Sequence, residues 1–487
     1  MKEFETYAER ARVQWSVPGM AIAVVHDDAV VYAKGFGVKQ LGASVPVHTH
    51  TLFQIGSTSK AFTSTLVAML VDQGKLKWTD RVIDHDPEFA MYDAWVTREF
   101  MIQDLMVQHS GMAPYAGDLM ALIGFDAAYI RRQIREMRPV SSFRSEFGYV
   151  NNLFLVASAI IERLTGTSWE ENVRRRIFTP LGMAASSTGL GPFQQAADAT
   201  HGHRVLDGQV RPLAMDYPFL GWVYTYAPAG GVNSTVLDMA NWVRLHLARG
   251  RFGQTRLVGE ANMDVVHAPR TALPPSTDAA GTSMSEAKSF YREGWLFTSA
   301  RPLPIVWHNG DTNFMRAAVG LNHGGDLGVV ILTNRGEVPL AEALVFELHD
   351  LYFGNPRSDW SALMYRKYEQ GVEARRKAVG ARPQPPAPPL SLEQYAGTFR
   401  NTVYGRATVA TSGSGLSFSV GPRPARMLLA PWDRDAFLVS WPLVDAFAGD
   451  SGFARFVFGQ DGKVMGVMMD AFSDVDNGLF ERVAAKS

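Results

Sequence analysis

The chain has 487 residues, of which 46% are hydrophobic and 20% charged, a balance that places it among globular proteins with a large core and suggests two or three domains. Lys+Arg number 47 against 48 Asp+Glu, with no basic stripe interleaved with aromatics, so nothing favours nucleic acid or an anionic membrane surface and a neutral or small polar substrate fits better. The absence of cysteine excludes disulfides, thiolate zinc sites and a thiol nucleophile.

Residues 1–17 read as an amphipathic helix ended by Pro18 and Gly19. This charged start lacks the apolar core of a secretion signal, and runs such as LFLVASAII from Leu153 are too short to cross a bilayer. The expectation is a soluble protein, cytoplasmic as the chain is written and periplasmic or secreted if a signal has been removed. Met20 to Val25 and Ala29 to Lys34 are β-rich runs around Asp27 and Asp28, which predicts a hairpin. A polar loop follows, carrying His48-x-His50.

Gln54 to Gly74, QIGSTSKAFTSTLVAMLVDQG, is the stretch that carries chemistry. Gly56 and Ser57 read as a turn and helix start, Ala61 to Leu70 as a buried helix, and Gly74 as its stop. Lys60 falls one turn after Ser57 on the same face. Burial and nearby positive charge would leave that lysine neutral enough to take a proton from the Ser57 hydroxyl, while N–H groups at the helix start hold a developing oxyanion. A second Ser-x-x-Lys, Ser285 and Lys288, sits in a polar segment after LPPSTDAAG, where nothing would shield a lysine from water.

From about Lys75 to Pro228 the pattern is mainly helical with long loops, including DRVIDHDP, REFMIQDLMVQHSGM, FDAAYIRRQIREM, NNLFLVASAIIERLTG and WEENVRRRIFTPLGM. Within it, FGYVNN sets Tyr149 and Asn151 two apart, in a loop before a helix that Asn151 or Asn152 would cap. From that loop the phenol would serve as acid or base, and the amide would hold Lys60 and a substrate carbonyl. His201-x-His203, like His48-x-His50, lacks an acidic partner at helical spacing and reads as a surface pair, so no metal is expected.

VLDMANWVRLHLARG predicts a helix, after which strands return at Pro304 to Trp307, Met315 to Leu321 and Leu327 to Thr333, the last two joined by a turn at Asn322 to Gly325. Glu342 to Tyr352 offers a closing helix. Strands at both ends with helices between them argue for an antiparallel sheet assembled from the two ends, an α+β domain over residues 1–355 with a helical subdomain at about 75–228. His308, at the end of the strand PIVW, is followed by Gly310, where backbone could approach a bound acyl group. The N–H of Asp311 would then be a second oxyanion donor beside that of Ser57.

Residues 356–389 read as a charged helix and the proline-rich linker ARPQPPAPP. Residues 390–487 are short β-runs separated by Gly and Asp turns, suggesting a small antiparallel barrel or sandwich. Its Trp432, Phe437, Trp441, Met468 and Met469 read as core rather than ligand cage.

Ser57-x-x-Lys60, Tyr149-x-Asn151 and His308-x-Gly310, in that order, resemble the three motifs of the serine β-lactamase and penicillin-binding-protein superfamily, closest to the branch of class C β-lactamases, D-aminopeptidases and related esterases. VPGMAIAVVHDDAVVYAKGFG, LMVQHSGM, IFTPLGM and APAGGVNSTVLDMANW extend the resemblance over roughly residues 1 to 355, and the C-terminal part is similar to a lipocalin-like barrel that some of these hydrolases carry. The resemblance implies an antiparallel sheet flanked by helices with an all-α subdomain and the site between them. It implies a Ser57 acyl-enzyme, with Lys60 and Tyr149 managing the proton, Asn151 orienting Lys60 and substrate, and no cofactor. The implied substrate is a small ester, amide or peptide. Acyl transfer, weak β-lactamase activity and a non-turnover penicillin sensor are the alternatives, and an oligomer is possible. Penicillin-recognising members usually place a permanent cation at the first position of the third motif; His308 stands there instead, which argues against efficient β-lactamase activity and leaves esterase and D-amino-acid peptidase or amidase chemistry open.

Overall fold

The computed structural model describes residues 1–484 except 207, 275–287, 300–303, 356–357, 424 and 442–451. Ser285, of the second Ser-x-x-Lys, lies outside the described residues. Helix α1 (Lys2–Gln14) leads into the hairpin β1 (Gly19–His26) and β2 (Ala29–Gly37), whose turn is made by Asp27 and Asp28, both at positive φ. The sheet is completed by β3 (Thr271–Ala272), β4 (Ser289–Tyr291), β5 (Leu296–Thr298), β6 (Ile305–Asp311), β7 (Arg316–Asn322) and β8 (Leu327–Thr333) in the order β3-β4-β5-β6-β7-β8-β1-β2. The two ends of the domain meet where β1 pairs antiparallel with β8, Met20 opposite Thr333. This is the antiparallel sheet that strands at both ends of the segment predict; the short strands β3 to β5, too brief to leave a period in the sequence, add its far edge.

Both faces of the sheet are covered, which is why β1 is buried along almost its whole length. Its alternate side chains separate cleanly: Ala21, Ala23 and Val25 join the core under the helical region, while Met20, Ile22 and Val24 join a second core under α1 and the closing helix Leu340–Phe353. On the first side lie α2 (Lys60–Asp72) and α3 (Asn152–Thr165), with α4 (Val236–Leu247) running beside β8 and β1. The block between α2 and α4 is less regular than its periodicity suggests. REFMIQDLMVQHSGM forms only the helix end at Glu99 and one 3-10 turn, Gln103–Leu105, before entering a loop, and a small hairpin, His203–Leu206 with Gln209–Pro212, interrupts the helices. His203 is fully buried rather than on the surface, with its ring bonded to the Asn334 carbonyl and the Leu41 N–H.

Helix Trp360–Val379 and an irregular stretch through the prolines lead to the last region. There β9 (Gly397–Asn401), β10 (Gly405–Ser412), β11 (Gly415–Val420), β12 (Ala425–Asp433), β13 (Ala436–Ser440), β14 (Phe453–Phe458), β15 (Val464–Met469) and β16 (Leu479–Arg482) close into a barrel, with β16 returning to β9. Phe399, Phe418, Phe437, Met469 and Phe480 fill it, and Trp441 is also buried, whereas Met468 points outward. The barrel core is continuous with the core of the helical region. Among the described residues no helix is long and apolar enough to cross a membrane.

Candidate active site

Ser57 lies in a single 3-10 turn, Gly56–Ser59, that runs directly into α2. The turn exists because two backbones touch there. Gly56 has φ +52 and a Cβ on it would stand 2.7 Å from the Asp311 nitrogen; a Cβ on Gly310 would stand 1.9 Å from the Ile55 oxygen and 2.9 Å from the Ser57 nitrogen. Glycine on both sides lets β6 run against the serine turn, which brings the backbone nitrogens of Ser57 and Asp311 to this contact. β5 pairs with β6 only as far as Trp307, leaving the β5-side edge from His308 to Asp311 unpaired with it.

Lys60, the first residue of α2, is completely buried. Its ammonium donates to Ser57 Oγ at 3.0 Å, Asn151 Oδ1 at 2.6 Å and the Ala229 carbonyl at 3.1 Å, one acceptor for each proton, and the ring of Tyr149 lies 4.7 Å away. Burial lowers its pKa to about 7, against the pull of Asp118, which raises it. Desolvation alone therefore accounts for the lowering; the charged neighbour is a carboxylate and not the positive charge the sequence reading expects.

Asn151 occupies the position before α3 yet makes no capping bond. Its side chain is turned instead into the site, with Oδ1 on Lys60 and Nδ2 donating to Asp118 Oδ2 at 2.7 Å. Burial first, then Tyr291, push the Tyr149 phenol pKa well above the usual range, so the phenol is protonated at neutral pH. The loop that presents it is fastened by Gln108, whose Oε1 accepts from Val150 N at 2.7 Å and whose Nε2 donates to Val150 O at 3.0 Å. Gln108 belongs to LMVQHSGM, which explains why that run matters to the site.

The strand β6 does not end at Trp307 but continues through His308 to Asp311. His308 is buried, its Nδ1 2.5 Å from the Asn309 carbonyl and its Nε2 2.9 Å from the Tyr291 hydroxyl. A carbonyl only accepts, so Nδ1 carries the proton and the Tyr291 hydroxyl donates to Nε2. Burial and then Lys60 lower the imidazole pKa to about 3, so His308 is a neutral ring already bonded at both nitrogens. Beside it, Asp311 accepts from Asn313 N and Arg316 Nη1, each at 2.6 Å, and Arg316 also grips the buried Glu342. The described residues therefore place Ser57, Lys60, Tyr149, Asn151, Gly310 and the Asp311 N–H around one point, with His308 one layer behind.

The family model described as Beta-lactamase matches residues 4–352. The chain belongs to this family. A second model, a domain of unknown function (DUF3471), matches residues 381–481, the barrel region. The chain is 26% identical to Unguisins hydrolase ungD′ of Aspergillus campestris, over 96% of this chain and 89% of that one. It is 29% identical to Penicillin-binding protein 4 of Amycolatopsis lactamdurans, over 67% of this chain and 83% of that one. The octameric penicillin-binding protein homologue from Pyrococcus abyssi shares the fold with a TM-score of 0.63 at 20% identity, covering 98% of this chain and 99% of that one.

Four participants escape the sequence reading. Asp118 and Tyr291 come from segments with no motif, and only the fold brings them to Asn151 and His308. The Ala229 carbonyl is anonymous in any sequence, although APAGG marks the place. Gln108 was signalled only by its membership of LMVQHSGM.

Proposed function

We propose that the protein is a serine hydrolase of small esters or amides that works through a Ser57 acyl-enzyme. The observation that carries this reading is a serine hydroxyl 3.0 Å from a lysine whose pKa burial has lowered to about 7. In its neutral form Lys60 takes the Ser57 proton as Oγ bonds to the substrate carbonyl carbon, and the carbonyl oxygen gains charge between the N–H groups of Ser57 and Asp311. Protonated Tyr149 passes a proton to the leaving alcohol or amine, and is reprotonated from Lys60. Water then adds to the ester, the same groups accepting and returning its proton, and Ser57 is regenerated as the acid product leaves.

Within this class the reading is an esterase or D-amino-acid peptidase or amidase. Support comes from the third-motif position, where the histidine is neutral, and from Arg316, whose charge is engaged by Asp311 and Glu342; neither presents a spare cation to a substrate carboxylate. The relative named for hydrolysis of unguisins supports an acyl-cleaving activity and aligns with this chain nearly end to end. In this reading residues 1–355 are the hydrolase domain, 356–389 a helix and linker, and 390–487 an accessory barrel.

The test is a fluorophosphonate adduct mapped by mass spectrometry, with turnover of p-nitrophenyl esters and D-amino-acid amides. Labelling is expected at Ser57, and Ser57→Ala should lose more than about a thousandfold in kcat. An adduct elsewhere, or undiminished turnover in Ser57→Ala, overturns the reading. Because the base must be neutral, acylation should rise with pH through about 7 and level above it.

A further inference from the structure

The barrel does more than lie against the catalytic region: it reaches the bonds behind Lys60. Asp474, in the turn between β15 and β16, accepts from the Gly117 N–H at 2.7 Å and from the Tyr404 hydroxyl at 2.6 Å. The Gly117 carbonyl in turn accepts from Tyr226 at 2.8 Å, one residue before the Ala227–Gly230 turn that offers its Ala229 carbonyl to Lys60. The next residue after Gly117 is Asp118, whose Oδ2 accepts from Asn151 and whose Oδ1 is buried without a hydrogen-bond partner.

An amide side chain presents one acceptor and one donor, and only one of its two orientations puts oxygen on Lys60. An acceptor on the other side fixes that orientation, and Asp118 is that acceptor. We propose that the C-terminal barrel is a working part of the active site: through Asp474 it fixes Gly117 and the adjoining carboxylate of Asp118, so that Asp118 and Asp474 are positioning residues that orient Asn151 and govern the charge of Lys60. The inference rests on the Ser57 acyl-enzyme reading.

The electrostatics follow the same path. Asp118 is faced by Lys60 from α2, by Tyr115 and Tyr149 from the loops, by Tyr226 from the 3-10 helix Trp222–Tyr226, and by Tyr404 and Asp474 from the barrel. Burial raises its pKa to about 7, the Asn151 bond and Lys60 oppose the rise, and Asp474 adds to it. An ionised Asp118 favours the charged lysine; an ionised Asp474 discourages the ionisation of Asp118. The two carboxylates therefore act on Lys60 with opposite signs.

The experiment is the pH dependence of the fluorophosphonate reaction at Ser57, in the intact chain, for the wild type and three variants. Asp118→Asn keeps an acceptor for the amide but removes the charge that holds Lys60 protonated, so the rising limb should move about one pH unit lower. Asp474→Asn lets Asp118 stay ionised to lower pH, so the limb should move higher. Tyr404→Phe leaves the Asp474 carboxylate in place but removes a donor, making it easier to protonate; it should move the limb the same way as Asp474→Asn and by less, and it carries the test if Asp474→Asn does not fold. A role in stability alone would lower rates at every pH and leave the limb where it is. A Ser57 adduct whose limb is unmoved in the variants, or moved in one direction by both carboxylate changes, overturns this inference and leaves the serine assignment standing. Absence of a Ser57 adduct in the wild type overturns the assignment and the inference together.

Discussion

Gly310→Ala isolates the contact between β6 and the serine turn. The added methyl would lie 1.9 Å from the Ile55 carbonyl oxygen and 2.9 Å from the Ser57 nitrogen. Non-bonded carbon and oxygen settle at roughly 3.3 Å, so the two backbones must part by roughly 1.4 Å. Both offending atoms are main chain, and no rotamer can relieve the clash. Overpacking of this kind costs about 1–3 kcal/mol of stability, which a domain of this size survives. Displacement of a nucleophile by about an ångström costs on the order of a hundredfold in rate. The expected result is a folded protein whose fluorophosphonate rate at Ser57 falls about a hundredfold, read by time-resolved intact mass at pH 8, with urea unfolding measured in parallel. Gly191→Ala, where an added Cβ meets nothing within 4 Å, serves as the control. A Gly310→Ala protein that reacts within about threefold of the wild type and unfolds at the same urea concentration would refute the close-approach argument.

Three further expectations follow from buried charge. Lys60 has a folded pKa near 7 against an ordinary 10.5, so between those values the folded chain holds fewer protons than the unfolded one and stability rises with pH; Lys60→Met should be inactive yet more stable at pH 7 by about 2–4 kcal/mol, an advantage that shrinks by pH 10 in urea titrations. Arg316→Met leaves Asp311 and the buried Glu342 without their cation and should cost about 3–5 kcal/mol in denaturant unfolding, much of it recovered when Glu342→Leu is added. Burial raises the Asp104 pKa, but His109 at 2.7 Å, Arg144 and the Met101 N–H outweigh it, so the carboxylate is held below its usual range. Its contribution is present above about pH 4 and lost as pH falls through the depressed value, so Asp104→Asn should flatten the acid limb of a thermal-stability profile.

The pairing of Ser57 with Lys60 was legible because its signal is local: three residues of helical turn bring the two together whatever the rest of the chain does. The sheet was legible for a similar reason, since runs such as LGVVILT can only be central strands. Asn151 was legible in place but not in act. An asparagine before a helix is a natural cap, and only the buried ammonium at 2.6 Å shows why this one is turned away. His308 was found as a motif, but its neutrality depends on Tyr291, which arrives on a three-residue strand with no periodicity of its own. Asp118 was invisible for the same reason, because its importance comes from what lies across the fold from it. Beyond the 3-10 turn Gln103–Leu105 no helix can continue, because Gln108 takes positive φ where it fastens the Tyr149 loop.

The pairing of β1 with β8 also has a meaning for biosynthesis. β1 is apolar along both faces, and the strand that pairs with it at Met20 and Thr333 leaves the ribosome roughly three hundred residues after it. At typical elongation rates of about 5–20 residues per second, that is roughly 15–60 s during which this apolar strand has β2 on one edge and an open ladder on the other. Ser57 cannot meet Gly310 until almost the whole domain has emerged, so under the proposed Ser57 chemistry, labelling of that serine would serve as a clock for the completion of folding.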